Sequence, residues 1–157
     1  MSIDPTAQRI ASFGEFWPKY LGEHRDPRSR WLHFCGTSGF LGVMIGATAS
    51  APLRMIPALA LSAVIFYLSR HVEARRSGVL SLLAVVIICA GANPASLGAV
   101  VFAYAFAWAG HFLIEKNRPA TFTYPLWSLA GDMRMVSLMW RGQLWRGDPL
   151  NPTAAAL

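Results

Sequence analysis

Four long apolar runs dominate the middle of this chain, at about residues 32–50, 53–69, 77–93 and 95–114. Each approaches the ~17–25 residues that a helix needs to cross a bilayer. No Asp, Glu, Lys or Arg falls strictly inside any run except at Arg54, which sits at the mouth of the second. The chain is 54% hydrophobic and only 14% charged, where a soluble domain carries about 25% charged residues. A soluble fold of 157 residues would lack the polar surface to cover itself. The pattern predicts an all-α integral membrane bundle of about four transmembrane helices, with spans near 27–50, 53–69, 77–93 and 95–114, forming one membrane domain over 1–157.

Local signals set the ends. Asp26-Pro27 reads as a helix start, with Asp as N-cap and Pro at the first helical position. Pro52, Pro57 and Asn93-Pro94 mark further turns or starts. Before the first span, Phe13, Phe16, Trp17, Tyr20 and Leu21 recur at the spacing of one helix face. Ser12 and Glu15 form a capping-box pattern ahead of it. Residues 12–24 therefore read as an amphipathic interfacial helix; a helix packed on its own bundle has the same pattern. Residues 125–146 interleave Trp127, Trp140 and Trp145 with Arg134, Arg141 and Arg146, and read as a second interfacial helix. The first thirty residues lack the apolar core of a cleavable signal.

Charge sets the expected orientation. With four spans, thirteen of the fourteen basic residues fall on the side of the two termini and the 70–76 loop, and Arg54 alone falls on the other. The positive-inside rule then puts both termini in the cytoplasm, at the inner membrane if the source is bacterial. The net charge of +6 is dispersed between apolar runs, so membrane lipid rather than nucleic acid is its expected partner. Cys35 and Cys89 fall near opposite membrane faces, too far apart for a disulfide. Whether the chain forms a homo-oligomer is not legible.

On this topology His24, His33, His71 and His111 all reach the cytoplasmic side. Ala99, Ala103, Ala107, His111 and Glu115 recur every four residues and form one stripe of the last span. Small residues let helices approach closely in lipid, so the stripe should face the bundle interior and carry His111 and Glu115 with it. A His and carboxylate set with open positions suits non-haem Fe(II), and Zn is also open. A structural hydrogen bond or ion pair is the plainer alternative. Lys116, Asn117 and Arg118 follow at the membrane surface, where they can receive a carboxylate or a lipid phosphate. The series Gly36, Gly39, Gly42 and Gly46 lies inside an apolar span and reads as helix packing.

The segments EHRDPRSRWLHFCGTS and WAGHFLIEKNRPATFTYPLWSL resemble a former domain-of-unknown-function membrane family. Its fungal members are endoplasmic-reticulum 2-hydroxy fatty acid dioxygenases of phytosphingosine degradation. The resemblance runs from about Phe16 to Trp140, and the block Gly110, His111, Glu115, Arg118, Pro119, Ala120 is its most specific part. It implies an Fe(II)-dependent dioxygenase that takes a 2-hydroxy fatty acid and O2 and yields the acid one carbon shorter plus CO2. It also implies His24, His33 and His111 as metal ligands and Glu115 as an acidic catalytic partner. Lys116 and Arg118 would then hold the substrate carboxylate. Ser29 and Gly36-Thr37-Ser38 depart from the fungal pattern of Asn and Gly-x-Pro, which points to a bacterial branch. A non-catalytic lipid-binding protein and a b-type haem protein are the competing classes. A transporter is disfavoured because no ionisable residue lies at mid-membrane depth.

Overall fold

The computed structural model describes residues 9–75 and 78–151, with side chains given outside 70–77. Among the described residues six α-helices run in order: α1 Phe13–Gly22, α2 Pro27–Ser50, α3 Pro52–Arg75, α4 Val79–Ala92, α5 Ala95–Ala109 and α6 Pro125–Trp140. A π-helical turn, Gly110–Glu115, prolongs α5, and a 3-10 turn covers Ala120–Phe122. No strand occurs among the described residues.

The helix starts follow local chemistry. The Ser12 hydroxyl accepts the Glu15 N–H at 3.2 Å, and the Glu15 carboxylate accepts the Ala11 N–H. The Asp26 carboxylate accepts the Arg28 N–H at 2.8 Å, with Pro27 opening the helix. Both caps satisfy N–H groups that a helix start otherwise leaves unpaired.

Among the described residues three helices are long and apolar enough to cross a membrane: Pro27–Ser50, the Pro52–Ser69 part of α3, and Ala95–Glu115. The fourth apolar element, α4, has 14 residues. At ~1.5 Å per residue it spans about 21 Å, short of a ~30 Å hydrocarbon core. The expected run 77–93 is thus cut back by Gly78 at one end and by Asn93 at the other. The outer surface of these helices is apolar, with Leu53 90% and Leu80 77% exposed. That surface suits lipid as the solvent, and the chain is a helical membrane bundle.

The helices form successive hairpins, with α2 against α5 as the most extensive interface. A Cβ on Gly36 would meet Phe106 Cβ at 2.9 Å and the Ala103 carbonyl oxygen at 3.1 Å. One on Gly39 would run into the Phe102 ring. Gly42 and Gly46 meet nothing within 4 Å, so only half of the glycine series serves close packing. Polar pairs join α3 to α4: Ser69 donates to Ser81 at 2.7 Å, and Ser62 lies 3.5 Å from the Cys89 sulfur. Cys35 and Cys89 are free thiols.

The two outer helices pack on each other. Phe16, Tyr20, Tyr124, Trp127, Met135 and Met139 form one buried cluster between α1 and α6. α6 also packs on α2, α3 and α4. The aromatic face of α1 is therefore spent on α6, and of the Trp residues in 125–146 it is Trp140 that stays exposed. Arg30 is fully buried in the first turn of α2. Its five N–H donors reach five backbone carbonyls, those of His24, Arg25, Leu144, Arg146 and Gly147. This clamps a C-terminal strap onto the α1–α2 connection, and the Arg25–Asp148 ion pair extends it.

Candidate metal centre

Three histidines far apart in sequence meet at one end of the bundle. His24 follows α1, His33 lies two turns into α2, and His111 opens the π-helical turn after α5. All three are buried. Their ring centroids are 4.5, 4.6 and 5.2 Å apart, and the rings stand at 85°, 70° and 88° to one another. Each offers one ring nitrogen, and the three nitrogens lie within 4.8 Å of one another.

The hydrogen bonds decide which nitrogen each ring presents. His24 Nδ1 lies 2.6 Å from the Tyr20 carbonyl oxygen, and His33 Nδ1 lies 2.7 Å from Asp132 Oδ1. Both partners only accept, so both Nδ1 atoms carry the proton. His111 Nδ1 lies 2.7 Å from Asn117 Oδ1. The amide orientation is fixed because Asn117 Nδ2 donates to the Glu23 carbonyl at 2.8 Å. Every ring therefore turns Nε2, with its lone pair, toward the centre. His24 Nε2 and His33 Nε2 are fully buried without a hydrogen-bond partner. An orphaned buried polar atom costs about 1–3 kcal/mol, and a shared metal ion would satisfy both. Burial, then the neighbouring His33 and His111, hold the His24 pKa well below the ordinary imidazole value. The ring is then neutral, which is the ligating form. The donor set fits a metal ion such as iron or zinc.

Local structure explains how the rings meet. A Cβ on Gly110 would lie 2.9 Å from Ser29 Oγ and 3.6 Å from His33 Cδ2, so the bare glycine lets the π-helical turn close on α2. A π-turn of this kind is rare and recurs at functional sites. Lys116 ends it in a left-handed conformation, φ 53°. The Asn117 N–H then returns to the His111 carbonyl at 3.1 Å, which folds the amide back beside the ring it holds.

The remaining expected site residues lie elsewhere. Glu115 stands outside the histidine cluster, because its Oε1 accepts the Asp26 N–H at 2.8 Å. The positive end of α2 attracts that carboxylate, and the bond ties the π-turn to α2. Lys116 and Arg118 are exposed, Arg118 with its guanidinium 5.2 Å over the Phe122 ring. The His71 side chain lies outside the described residues.

Two residues of the site escape a reading by motif. Asp132 accepts from His33, from the Tyr20 hydroxyl at 3.3 Å and from the Thr37 hydroxyl. Its one sequence signal is that it is the single acid in 125–146. Asn117 stood out only as an uncharged residue between Lys116 and Arg118.

Comparison with curated proteins and with solved structures gave no match. Comparison with protein families matched residues 10–81 and 76–144 to the family described as Mpo1-like, 2-hydroxy-palmitic acid dioxygenase. The matched stretches include α1, all three clustered histidines, Asn117 and Asp132, in agreement with the resemblance carried by the two histidine segments. The chain belongs to the Mpo1-like family of 2-hydroxy-palmitic acid dioxygenases.

Proposed function

We propose that this protein is an Fe(II)-dependent dioxygenase that shortens 2-hydroxy fatty acids by one carbon at the cytoplasmic face of its membrane. The reaction is R–CH(OH)–COOH + O2 → R–COOH + CO2 + H2O. The C1–C2 bond breaks, C2 becomes the new carboxyl carbon, and the substrate loses four electrons to O2. The observation that carries this reading is the convergence of three buried histidines, each with Nδ1 engaged and Nε2 turned inward, in a chain of this family.

Fe(II) held by His24, His33 and His111 would supply a centre with open positions at which O2 and an α-hydroxy carboxylate are activated side by side. The chain's own residues then do the rest. Tyr20, Asp132 and Asn117 hold the three rings in place. Burial of the rings keeps bulk water from the reacting carbon. Lys116 and Arg118, exposed just beyond the π-turn, supply positive charge for the carboxylate head group. Glu115 acts by position, as the tether between the π-turn and α2. An apolar groove lined by Phe40, Leu41, Met44, Thr48 and Leu59 accepts the acyl tail. Phe40 and Met44 follow His33 by seven and eleven residues, on the same face of α2. The groove thus starts about 10 Å along the helix from the histidine. The asymmetry of basic residues supports the cytoplasmic placement.

The test is anaerobic loading with Fe(II), followed by oxygen uptake with 2-hydroxypalmitate and, as control, palmitate. The expected result is O2 consumption with the hydroxy acid alone, with the acid one carbon shorter and CO2 as products. Verified iron-loaded protein that turns over neither substrate would defeat the proposal. Replacing His24, His33 or His111 by Ala should abolish stoichiometric iron.

A further inference from the structure

We infer that Asp132 is the carboxylate of this centre, a positioning residue that acts through His33 and places a negative charge directly behind one of the three metal-binding rings. The inference rests on the metal-binding reading of the histidine cluster but not on the reaction assigned to it.

Each ring has a different partner behind it. His24 is held by a backbone carbonyl, His111 by a neutral amide and His33 by a carboxylate. Among the described residues, Asp132 is the acid that touches a clustered histidine, and the other nearby acids, Glu23, Asp26 and Glu115, accept the N–H groups of Ala120, Arg28 and Asp26. Three neutral imidazoles bring no charge to a divalent ion in a buried pocket. A carboxylate hydrogen-bonded to a ligand's distal nitrogen raises that ligand's basicity and fixes its orientation.

Asp132 is itself held from three sides. Its Oδ1 accepts from His33 Nδ1 and from the Tyr20 hydroxyl, and its Oδ2 accepts from Thr37 one turn further along α2. Tyr20 extends the arrangement to a second ring, because its carbonyl accepts the His24 Nδ1–H and its own ring stacks on His24 with centroids 4.2 Å apart. Gly131, beside Asp132, makes room for the Tyr20 ring: a Cβ there would meet it at 2.9 Å. The pair Tyr20–Asp132 thus orients His24 and His33 together, from α1 and α6.

The experiment is titration of the purified full chain in detergent with Co(II), read by the visible ligand-field spectrum and by equilibrium affinity. Asp132→Asn keeps the size and an acceptor but removes the charge. It should weaken Co(II) binding by about 10-fold or more and shift the ligand-field bands. Asp132→Glu keeps the charge but disturbs the packing more than Asn does, and should still bind Co(II) more tightly than D132N, an order that a merely structural role would reverse. Co(II) affinity in D132N equal to the wild type, with an unchanged spectrum, would overturn the assignment while leaving the metal site standing. If D132N does not fold, Tyr20→Phe decides: it removes one donor from the Asp132 carboxylate and should shift the Co(II) bands, and an unchanged spectrum and affinity would overturn the role of the carboxylate. A wild type that takes up no Co(II) overturns the metal reading and this inference with it.

Discussion

His111 and Asn117 face each other across one π-helical turn, with Nδ1 and Oδ1 2.7 Å apart. The two are six residues apart and are brought together only because Lys116 reverses the backbone between them. Asn117→Ala should leave the helices intact but free the His111 ring to rotate. The expected result is a loss of metal affinity of about 10-fold, measured by Fe(II) or Co(II) titration. Unchanged affinity would mean that the amide holds nothing the site needs.

Lys116 separates a structural from a chemical role. A left-handed backbone costs a non-glycine residue roughly 1 kcal/mol, so Lys116→Gly should stabilise the fold by about 0.5–1 kcal/mol. If the ammonium also receives the substrate carboxylate, the same variant should raise KM for a 2-hydroxy acid. Thermal unfolding in detergent and steady-state kinetics on one preparation read the two effects. Lower stability would refute the strain argument, and unchanged KM would remove Lys116 from the head-group site.

The glycines give a graded series. Gly36→Ala presses a methyl against the Ala103 backbone and Phe106, and Gly110→Ala presses one against buried Ser29. Each should cost about 1–3 kcal/mol as overpacking. Gly110→Ala should in addition weaken metal binding, because the π-turn carrying His111 must retreat from His33. Gly42→Ala meets open space and should be neutral or slightly stabilising. Equal effects at Gly36 and Gly42 would contradict the α2–α5 packing.

The strap should loosen in acid from its far end. The Arg25 guanidinium beside Asp148 holds that carboxyl below its ordinary range. A depressed carboxylate stabilises the fold above its unfolded value, near ~4, and that contribution fades as pH falls through the lower folded value. Arg30 does not titrate in this range, so its carbonyl bonds persist. Hydrogen exchange should therefore rise at the Leu150 and Asn151 N–H groups, which bond to Asp148, below about pH 4, while the Arg30 guanidinium protons bonded to the 144, 146 and 147 carbonyls stay protected. Asp148→Asn should produce the same pattern at neutral pH. Loss of protection at the Arg30 guanidinium first would reverse the order of the two anchors.

Filling the apolar groove should shorten the acyl chain accepted. Met44→Trp places bulk about 16 Å along α2 from His33, so turnover of long 2-hydroxy acids should fall while shorter ones persist. A chain-length profile unchanged from the wild type would put the tail elsewhere.

Much of this was legible because membrane helices are written in hydropathy and caps. The apolar runs, the Ser12–Glu15 box and the Asp26-Pro27 start all correspond to elements seen. Hairpin topology alone brings all four histidines to one end, and the family resemblance is what singles out His24, His33 and His111. α4 was overestimated because hydropathy does not register where Gly78 and Asn93 stop a helix. Glu115 was placed beside His111 by a spacing of four, which assumes a regular α-helix and overlooks the free N–H of Asp26. Asp132 was invisible because a lone acid on an amphipathic helix has the signature of a solvated face. Only the packing of α6 onto α2 turns it inward.

The five carbonyls around Arg30 also set an order of assembly. Three of them belong to residues 144, 146 and 147, so they leave the ribosome more than a hundred residues after the guanidinium they hold. Until then Arg30 can stay hydrated at the bilayer surface, and the connection carrying His24 has no fixed seat. The first two histidines are thus made early and secured last. The pocket becomes complete only when residues 144–148 have folded back onto the α1–α2 connection. A truncated or stalled chain would span the membrane yet offer no finished binding pocket.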